Sequence, residues 1–234
     1  MCGRFVQASA PTLLTEHFDV DEVLIDDDPA PSYNVAPRAD VLTVYERDDR
    51  RRLGPMRWGL VPSWAEDLST GDRLINARAE TLTEKPAYRH AFERRRCIIP
   101  ADGFYEWQTL VGGKKHPVYI HACSGEPLAM AGLAEIWSDR DDPNAPWVRT
   151  CAVVTTSANA TLRPVHDRMP VMLDARDWDQ WLDRDVRDPS ALAPLLVPAS
   201  DDLLEWWPVS TRVNAARNDD ALLIEREDPL TLFS

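Results

Sequence analysis

Lysine, long apolar runs and paired cysteines are scarce in this sequence, and each scarcity argues against a class of protein. Three of the 26 basic residues are lysine, and 39 acidic residues give a formal net charge of −13. No apolar run reaches the roughly 18 residues of a membrane-spanning helix, so we expect no membrane insertion. Residues 1–25 lack a basic segment followed by an apolar stretch. We therefore expect no secretory signal and a cytoplasmic protein.

The cysteines show no CxxC spacing that would indicate a zinc site or a disulfide framework; they are Cys2, Cys97, Cys123 and Cys151. A chain of 234 residues buries enough apolar surface to fold without such cross-links. We expect four reduced thiols, no metal and no cofactor. We also expect Cys97, Cys123 and Cys151 to be packing residues that take no part in the chemistry.

The acidic excess bears on the class of partner. Few lysines with many aspartates favour a surface adapted to a high-salt cytoplasm, where salt screens self-repulsion. A GC-rich genome would also explain the arginines, but not the acids. Because phosphate contacts need local positive charge, such a chain binds nucleic acid only if its arginines are concentrated in one groove.

Short apolar segments with turn signals between them predict a strand-rich chain. The predicted strands are 41–45, 52–59, 97–101, 104–108, 118–121, 128–137, 148–155, 169–173 and 205–210, with a hairpin loop at 111–115. Helices are predicted at 9–18 with Ser9 as its cap, 84–96 with its arginines outward, 175–182 and 190–196. Many short strands with a few separate helices indicate a single α+β domain with a mostly antiparallel sheet.

Three segments carry polar residues that packing alone does not explain. Asn76, Arg78 and Glu80 alternate in INARAET, so an extended chain would point them to one face; a solvated strand edge explains them equally well. Glu106 interrupts the aromatic strand ADGFYEW. It is either solvent-facing or a buried acid with a raised pKa, suited to proton transfer. His166, in RPVHDRMP, is either a rigidly held imidazole of a site or simply exposed.

Aromatic loops YNVAP (33–37) and MRWGLVPSW (56–64) contain residues that suit base stacking. Exposed Trp58 and Trp64 beside arginine would serve single-stranded nucleic acid, whereas buried rings would belong to the core. For Trp137, Trp178 and Trp181 we expect core positions.

The first five residues, MCGRF, raise a separate possibility. Removal of Met1 would leave Cys2 with both a thiol and an α-amine whose ordinary pKa is about 8. Such an aminothiol closes a thiazolidine ring with an aldehyde, or attacks an acyl group. Taken alone, a chance cysteine at position 2 is the simpler explanation.

In this order, MCGRF, YNVAP, RWGLVPSW, INARAET, IIPADGFYEW, VHDRMPV and WPVS resemble the SRAP family, the SOS-response-associated peptidases. The resemblance spans residues 1–218 and implies one α+β domain built on a barrel-like, mostly antiparallel sheet flanked by a few helices. Residues 219–234 form a tail without a family motif or an assigned role.

The resemblance also implies functional residues. Cys2 matches the crosslinking and autoprocessing cysteine, Asn76 the active-site asparagine, and Glu106 and His166 the acid–base pair. The matches to residues that contact DNA are Arg4, Trp58, Arg78, Trp107 and Arg168.

The implied function is binding of single-stranded DNA and covalent crosslinking to abasic sites by a monomer that needs no metal. A thiol peptidase with Cys2 as nucleophile is the alternative. A module that binds single strands without any catalytic activity is a third hypothesis, although it leaves Asn76, Glu106 and His166 unexplained.

Overall fold

The computed structural model describes residues 2–142 and 144–227. The strands are β1 (Phe5–Gln7), β2 (Glu22–Val23), β3 (Ser32–Val35), β4 (Asp40–Arg47), β5 (Arg50–Trp58), β6 (Asn76–Arg78), β7 (Arg96–Ala101), β8 (Gly103–Thr109), β9 (Lys115–Ala122), β10 (Leu128–Trp137), β11 (Val148–Ser157), β12 (Arg168–Pro170) and β13 (Leu204–Pro208). The α-helices are α1 (Pro11–His17), α2 (Pro86–Arg94), α3 (Trp178–Leu182) and α4 (Pro189–Leu192). Short 3₁₀ helices lie at Leu68–Arg73, Ala79–Thr81, Ala175–Asp177, Ala193–Leu195, Thr211–Asn214 and Ala221–Ile224.

The large sheet has the strand order β12-β11-β10-β7-β4-β5-β2, and a parallel pairing of β5 with β11 closes its middle into a ring. Strand β6 pairs in parallel with β11 outside this path. The small sheet has the order β13-β9-β8-β1-β3, and its pairings are antiparallel. The α+β, barrel-like and mostly antiparallel architecture predicted from the sequence is confirmed.

The core fills three spaces around these sheets. The principal cluster joins inward residues of both sheets, among them Phe5, Trp58 and Phe104. A second cluster covers the other face of the large sheet with residues of α1, α2 and α3. A third packs the outer face of the small sheet against residues 209–224. Trp137, Trp178 and Trp181 are buried as predicted.

Both long helices are shorter than predicted, for identifiable reasons. Ser9 does not cap α1, because its hydroxyl and amide bind the Asp102 carboxylate instead. Helix α2 ends at Arg94, and Arg96 is not outward but buried as the first residue of β7. Its guanidinium donates to four backbone carbonyls, those of Phe92, Trp181, Asp183 and Val186, which satisfies the charged group inside the protein.

The strand β8 is held in place by the residues just before it. The Asp102 carboxylate accepts the amides of Ala8 and Ser9 at 2.6 and 3.0 Å, which ties β1 to β8. A Cβ on Gly103 would lie 2.5 Å from the Ile120 carbonyl and the Tyr119 ring, so only glycine allows this approach of β9. At the other end of β8, the predicted hairpin is present, with Gly112 and Gly113 at positive φ.

Residues 219–227 pack against the small sheet. Asp219 accepts the Ser32 hydroxyl and the Tyr33 amide, Leu223 is buried, and the Glu227 amide donates to Pro208. The remainder of the predicted tail, 228–234, lies outside the described residues, as does Met1. Within the described part of the chain, no helix is long and apolar enough to cross a membrane.

Candidate functional site

Cys2 lies just before β1, in the space between the two sheets. Strand β1 is held between β3 and β8, and the Tyr105 amide donates to the Arg4 carbonyl at 2.9 Å. The Cys2 side chain is fully buried in the principal core cluster, with Sγ 3.9 Å from the Arg4 carbonyl oxygen. The fold thus fixes the N-terminal cysteine inside the protein rather than on a free end.

Asn76 connects this cysteine to the large sheet. On β6 it pairs with Val153 of β11, and its Nδ2 donates to the Cys2 carbonyl at 2.7 Å. Its backbone carbonyl accepts the Tyr88 hydroxyl of α2 at 2.9 Å. Its Oδ1 is buried and accepts no hydrogen bond from the residues described. Asn76 therefore holds the Cys2 backbone and keeps one acceptor aimed into the site.

The electrostatic environment keeps the Cys2 thiol protonated. Burial, and to a lesser degree the negative charge of Glu106, raises the pKa of Cys2 to about 12. A thiol with this pKa is neutral at pH 7 and is a poor nucleophile until a base takes its proton. The nearby α-amine and the Arg4 carbonyl act in the opposite direction and lower the pKa, but less than burial raises it.

Glu106 is a buried residue in the middle of β8, which removes the solvent-facing alternative. It is 4% exposed, and its backbone pairs with Val118 of β9. Because strand residues alternate between faces, Glu106 shares a face with Phe104, which belongs to the same core cluster as Cys2.

His166 lies in the loop between β11 and β12. Its amide donates to the Leu162 carbonyl at 3.0 Å, and its Nδ1 accepts the Arg168 amide at 2.9 Å. This acceptor role places the proton of a neutral ring on Nε2. The exposed Asp167 carboxylate also lies 2.9 Å from Nδ1 and is the partner suited to the protonated ring. Gln108, on the same face of β8 as Glu106, donates to Pro164 and brings this loop against β8.

The arginines predicted to contact DNA differ in how far they are already bound to other groups of the protein. Arg168 forms a two-pronged ion pair with Glu80, at 2.5 and 3.0 Å, and donates to the Thr155 carbonyl. Arg4 is half-buried and donates to Asn34 and to the Val213 carbonyl. Arg78 is exposed. The Asn76–Arg78–Glu80 row is not a continuous strand face, because β6 ends at Arg78 and Glu80 lies in a 3₁₀ turn.

The two tryptophans predicted to contact DNA are not equivalent. Of the two alternatives left open for Trp58, the core position is the observed one, because the ring is fully buried, packs edge-on against Phe5 and donates to the Ile75 carbonyl. A buried ring offers no face to a base, so the structure does not support the DNA contact that the resemblance implied for Trp58. Trp107 is partly exposed on the face of β8 opposite Glu106 and donates to Asn214. Trp64, with 55% exposure, is a surface residue.

Asn34 is a buried polar residue that the sequence analysis placed in a loop without a role. It lies in β3, and its Oδ1 accepts Arg4 at 2.8 Å. Its Nδ2 donates to three carbonyls, of Val213, Ala215 and Asn218. In the sequence, the feature that could have indicated a buried polar role is that Asn34 is the only amide side chain in the otherwise mostly apolar segment YNVAP. Asn34 ties Arg4 to the C-terminal part of the domain.

The other cysteines are free thiols in the part of the chain that the structure describes. Cys97 and Cys151 are buried, as expected of packing residues. Cys123 is exposed in a turn, so a packing role is wrong for it. Among the described residues, no three His, Cys, Asp or Glu side chains are arranged to hold a metal ion.

The family model of the SOS response associated peptidases (SRAP) matches residues 1–216, and the chain belongs to this family. The chain is 43% identical over 225 residues to the Bacillus subtilis abasic site processing protein YoqW, covering 96% of this chain and 99% of that protein. It is 33% identical to the abasic site processing protein YedK of Escherichia coli, covering 96% and 99%. A solved structure from Bacteroides thetaiotaomicron, 22% identical, has the same fold, with a TM-score of 0.83 over 97% of this chain and 100% of that one.

Proposed function

We propose that this protein binds single-stranded DNA and forms a covalent thiazolidine between Cys2, exposed as the N-terminus by removal of Met1, and the aldehyde of an abasic site. Relatives named abasic site processing proteins, 33–43% identical over nearly the whole chain, support the role in abasic-site repair. The observation that carries the chemical part is the 2.7 Å hydrogen bond from Asn76 to the Cys2 carbonyl, because it anchors the aminothiol from the side that does not react.

The reaction balances without a redox partner. An abasic deoxyribose opens to expose an aldehyde at C1′, the Cys2 amine attacks that carbon, and loss of one water gives a Schiff base. The Cys2 sulfur then bonds to the same carbon while the thiol proton passes to the nitrogen. One aldehyde and one aminothiol thus give one thiazolidine and one water, with no oxidant, reductant or cofactor consumed.

Each step moves a proton, which assigns tasks to the two neighbouring groups. The Cys2 thiol, with its pKa near 12, needs a base at the moment of ring closure, and the buried Glu106 carboxylate is the group whose charge acts on it. His166 in its imidazolium form, with the Asp167 carboxylate 2.9 Å from Nδ1, is suited to give the Nε2 proton to the sugar oxygen O4′ as the ring opens, which leaves the neutral imidazole. Asn76 Oδ1 is the acceptor available to orient the amine or the hydroxyl of the intermediate.

Binding of the strand before the reaction rests on few cations. Arg78 is exposed and ready for a phosphate, whereas a phosphate at Arg168 competes with the Glu80 carboxylate. The non-covalent complex weakens with salt, because each phosphate contact releases counterions, and the covalent bond does not. A protein of a salt-rich cell therefore gains most from a covalent capture step.

The test mixes the purified protein with three strands of one sequence: one with an abasic site, one intact, and one whose abasic aldehyde has been reduced to an alcohol. The proposal expects a protein–DNA band that survives SDS with the first strand only, and its loss in Cys2→Ala. A band of equal strength with the reduced strand would refute the aldehyde chemistry. No band, together with Cys2-dependent cleavage of a protein substrate, would establish the thiol peptidase instead.

A further inference from the structure

A cavity of about 790 Å³ opens at the end of the large sheet where β11 begins. Four arginines and one carboxylate line it, in a protein whose overall charge is −13. Arg57, Arg95 and Arg47 each have a carboxylate partner outside the lining, whereas Arg149 forms no ion pair with the described residues. The charged and aromatic residues that line it are Arg47, Arg57, Arg95, Arg149, Asp40 and Trp147. Such a concentration of guanidinium groups on an acidic protein is a place where an anion accumulates.

The cavity is separate from the Cys2 site. Arg149 lies four residues before Val153, the partner of Asn76 in the β11–β6 pairing. At about 3.3 Å per strand residue, this separates the two positions by about 13 Å along the strand. Arg168 pairs with Ser157, at the far end of the same strand. The arginine cavity thus lies toward the start of β11, four residues before the position that pairs with Asn76.

One wall of the cavity is ordered by contacts within the protein, while Arg47 and Trp147 are exposed at its rim. Arg149 lies over the ring of Tyr45 at 5.6 Å, and Arg95 is held by an ion pair with the buried Glu135. Tyr45 is 8% exposed and lines a neighbouring hollow of about 280 Å³, which shares Arg47, Arg95 and Arg149 with the cavity and is also lined by Glu46 and Glu135. Its buried hydroxyl has no hydrogen-bond partner among the described residues. Because that hydroxyl is buried, the polar groups of this wall that a ligand can reach are the guanidinium groups.

Trp147 supplies an aromatic surface at the rim. It is 74% exposed and immediately precedes the strand that carries Arg149. A large ring left in solvent beside arginines is the combination that binds nucleotides, the base stacking on the ring and the phosphate meeting the guanidinium groups.

We propose that this cavity is a second nucleotide-binding site, in which the phosphate lies among Arg47, Arg95 and Arg149 and the base stacks on Trp147. The nucleotide comes either free from solution or as one unit of a strand that passes this end of the barrel. The site does not depend on the crosslinking chemistry, since none of the residues matched to that chemistry lines it.

The experiment titrates the full-length protein by calorimetry with thymidine monophosphate, with thymidine, and with an undamaged oligothymidine strand. Arg149→Glu removes the central cation, and Trp147→Ala removes the ring. Arg176→Glu, at a position 81% exposed and outside the cavity lining, is the control with the same change of net charge. Arg47→Ala, on the exposed rim, is a second variant with little risk to folding, and thermal melts identify any variant that has unfolded.

We expect Arg149→Glu to weaken binding about tenfold or more, Trp147→Ala about fivefold or more, and Arg176→Glu to behave like the wild type. Thymidine, which lacks the phosphate, should not bind. Weakening with both phosphate-bearing probes, or with the free nucleotide alone, identifies a site for free nucleotides. Weakening with the strand alone, together with a salt slope reduced by about one, identifies a strand site. If the folded Arg149 and Arg47 variants match Arg176→Glu with every probe, the proposal is wrong.

Discussion

Replacing Asn76 tests whether the hydrogen bond to Cys2 positions the reacting group. Asn76→Ala removes the 2.7 Å bond to the Cys2 carbonyl and leaves that acceptor unsatisfied, which costs about 1–3 kcal/mol of folding stability. For a chain of this size, that corresponds to a fall in Tm of about 2–12 °C. The larger effect is on rate, because a displacement of about 1 Å at a reacting centre costs about 10²-fold.

Asn76→Asp tests the same role with a side chain of nearly unchanged size. A carboxylate of nearly equal size places negative charge against the Cys2 carbonyl and adds to the effect of Glu106, which already raises the pKa of the Cys2 thiol. We expect a crosslinking rate at least as low as that of Asn76→Ala, measured as the appearance of the SDS-stable band with time.

A matched control is Thr150→Ala. Thr150 is also a buried polar residue, whose hydroxyl donates to the Glu135 carbonyl and accepts the Val61 amide. It lies on the face of β11 opposite Cys151 and Val153, the residues of that strand in the Cys2 core cluster. Thr150→Ala should lower Tm by a similar amount and leave the crosslinking rate within about twofold of the wild type. An Asn76→Ala protein that is destabilised yet crosslinks at the rate of Thr150→Ala would refute the positioning role.

Three further predictions concern the same site. Glu106→Gln keeps the shape of the side chain and removes proton transfer, so crosslinking should slow by about 10²-fold or more; an unchanged rate would make Glu106 structural. In the native protein at pH 8, a thiol reagent should react rapidly with the exposed Cys123 alone. Because the pKa of Cys2 is raised to about 12, its thiolate fraction, and with it its alkylation rate, should keep rising about tenfold per pH unit beyond pH 9; a plateau near pH 9 would contradict the structure. Arg78→Ala should reduce the salt slope of binding to undamaged single strands by about one, measured by fluorescence anisotropy, whereas Arg176→Ala should leave it unchanged; equal slopes in both variants would remove Arg78 from the DNA contacts.

The sequence predicted the longer strands well, because their apolar residues carry the signal locally. The segment 128–137 coincides with β10, and 97–101 differs from β7 by one residue. Strands β1, β3 and β6 were not predicted. They are three or four residues long, and their partners lie far away in the chain, as with Asn76 and Val153. Such strands exist because of tertiary pairing rather than local propensity.

The candidate site was predictable as a set of residues but not as an arrangement. The sequence motifs single out Cys2, Asn76 and Glu106 as candidates. In the structure, the Asn76 side chain donates to the Cys2 carbonyl, and the charge of Glu106 affects the pKa of the Cys2 thiol. The predicted strand 52–59 contains Trp58 and not Trp64, but its pattern does not show which face of the strand is buried, so the burial of Trp58 could not be predicted. The pairing of Arg168 with Glu80 joins residues 88 apart, and no spacing rule reports such a contact.

The most direct test of the account asks whether Cys2 acts as an aminothiol or only as a thiol. An uncleavable extension before Cys2 keeps the sulfur and converts the α-amine into an amide, whose delocalised lone pair cannot form a Schiff base. The comparison uses this protein and one tagged at the C-terminus instead, each mixed with a single strand containing one abasic site. We predict that the C-terminally tagged protein has lost Met1 by mass and forms an SDS-stable adduct, while the extended protein forms none. A full-strength adduct from the extended protein would contradict the thiazolidine and the account built on it.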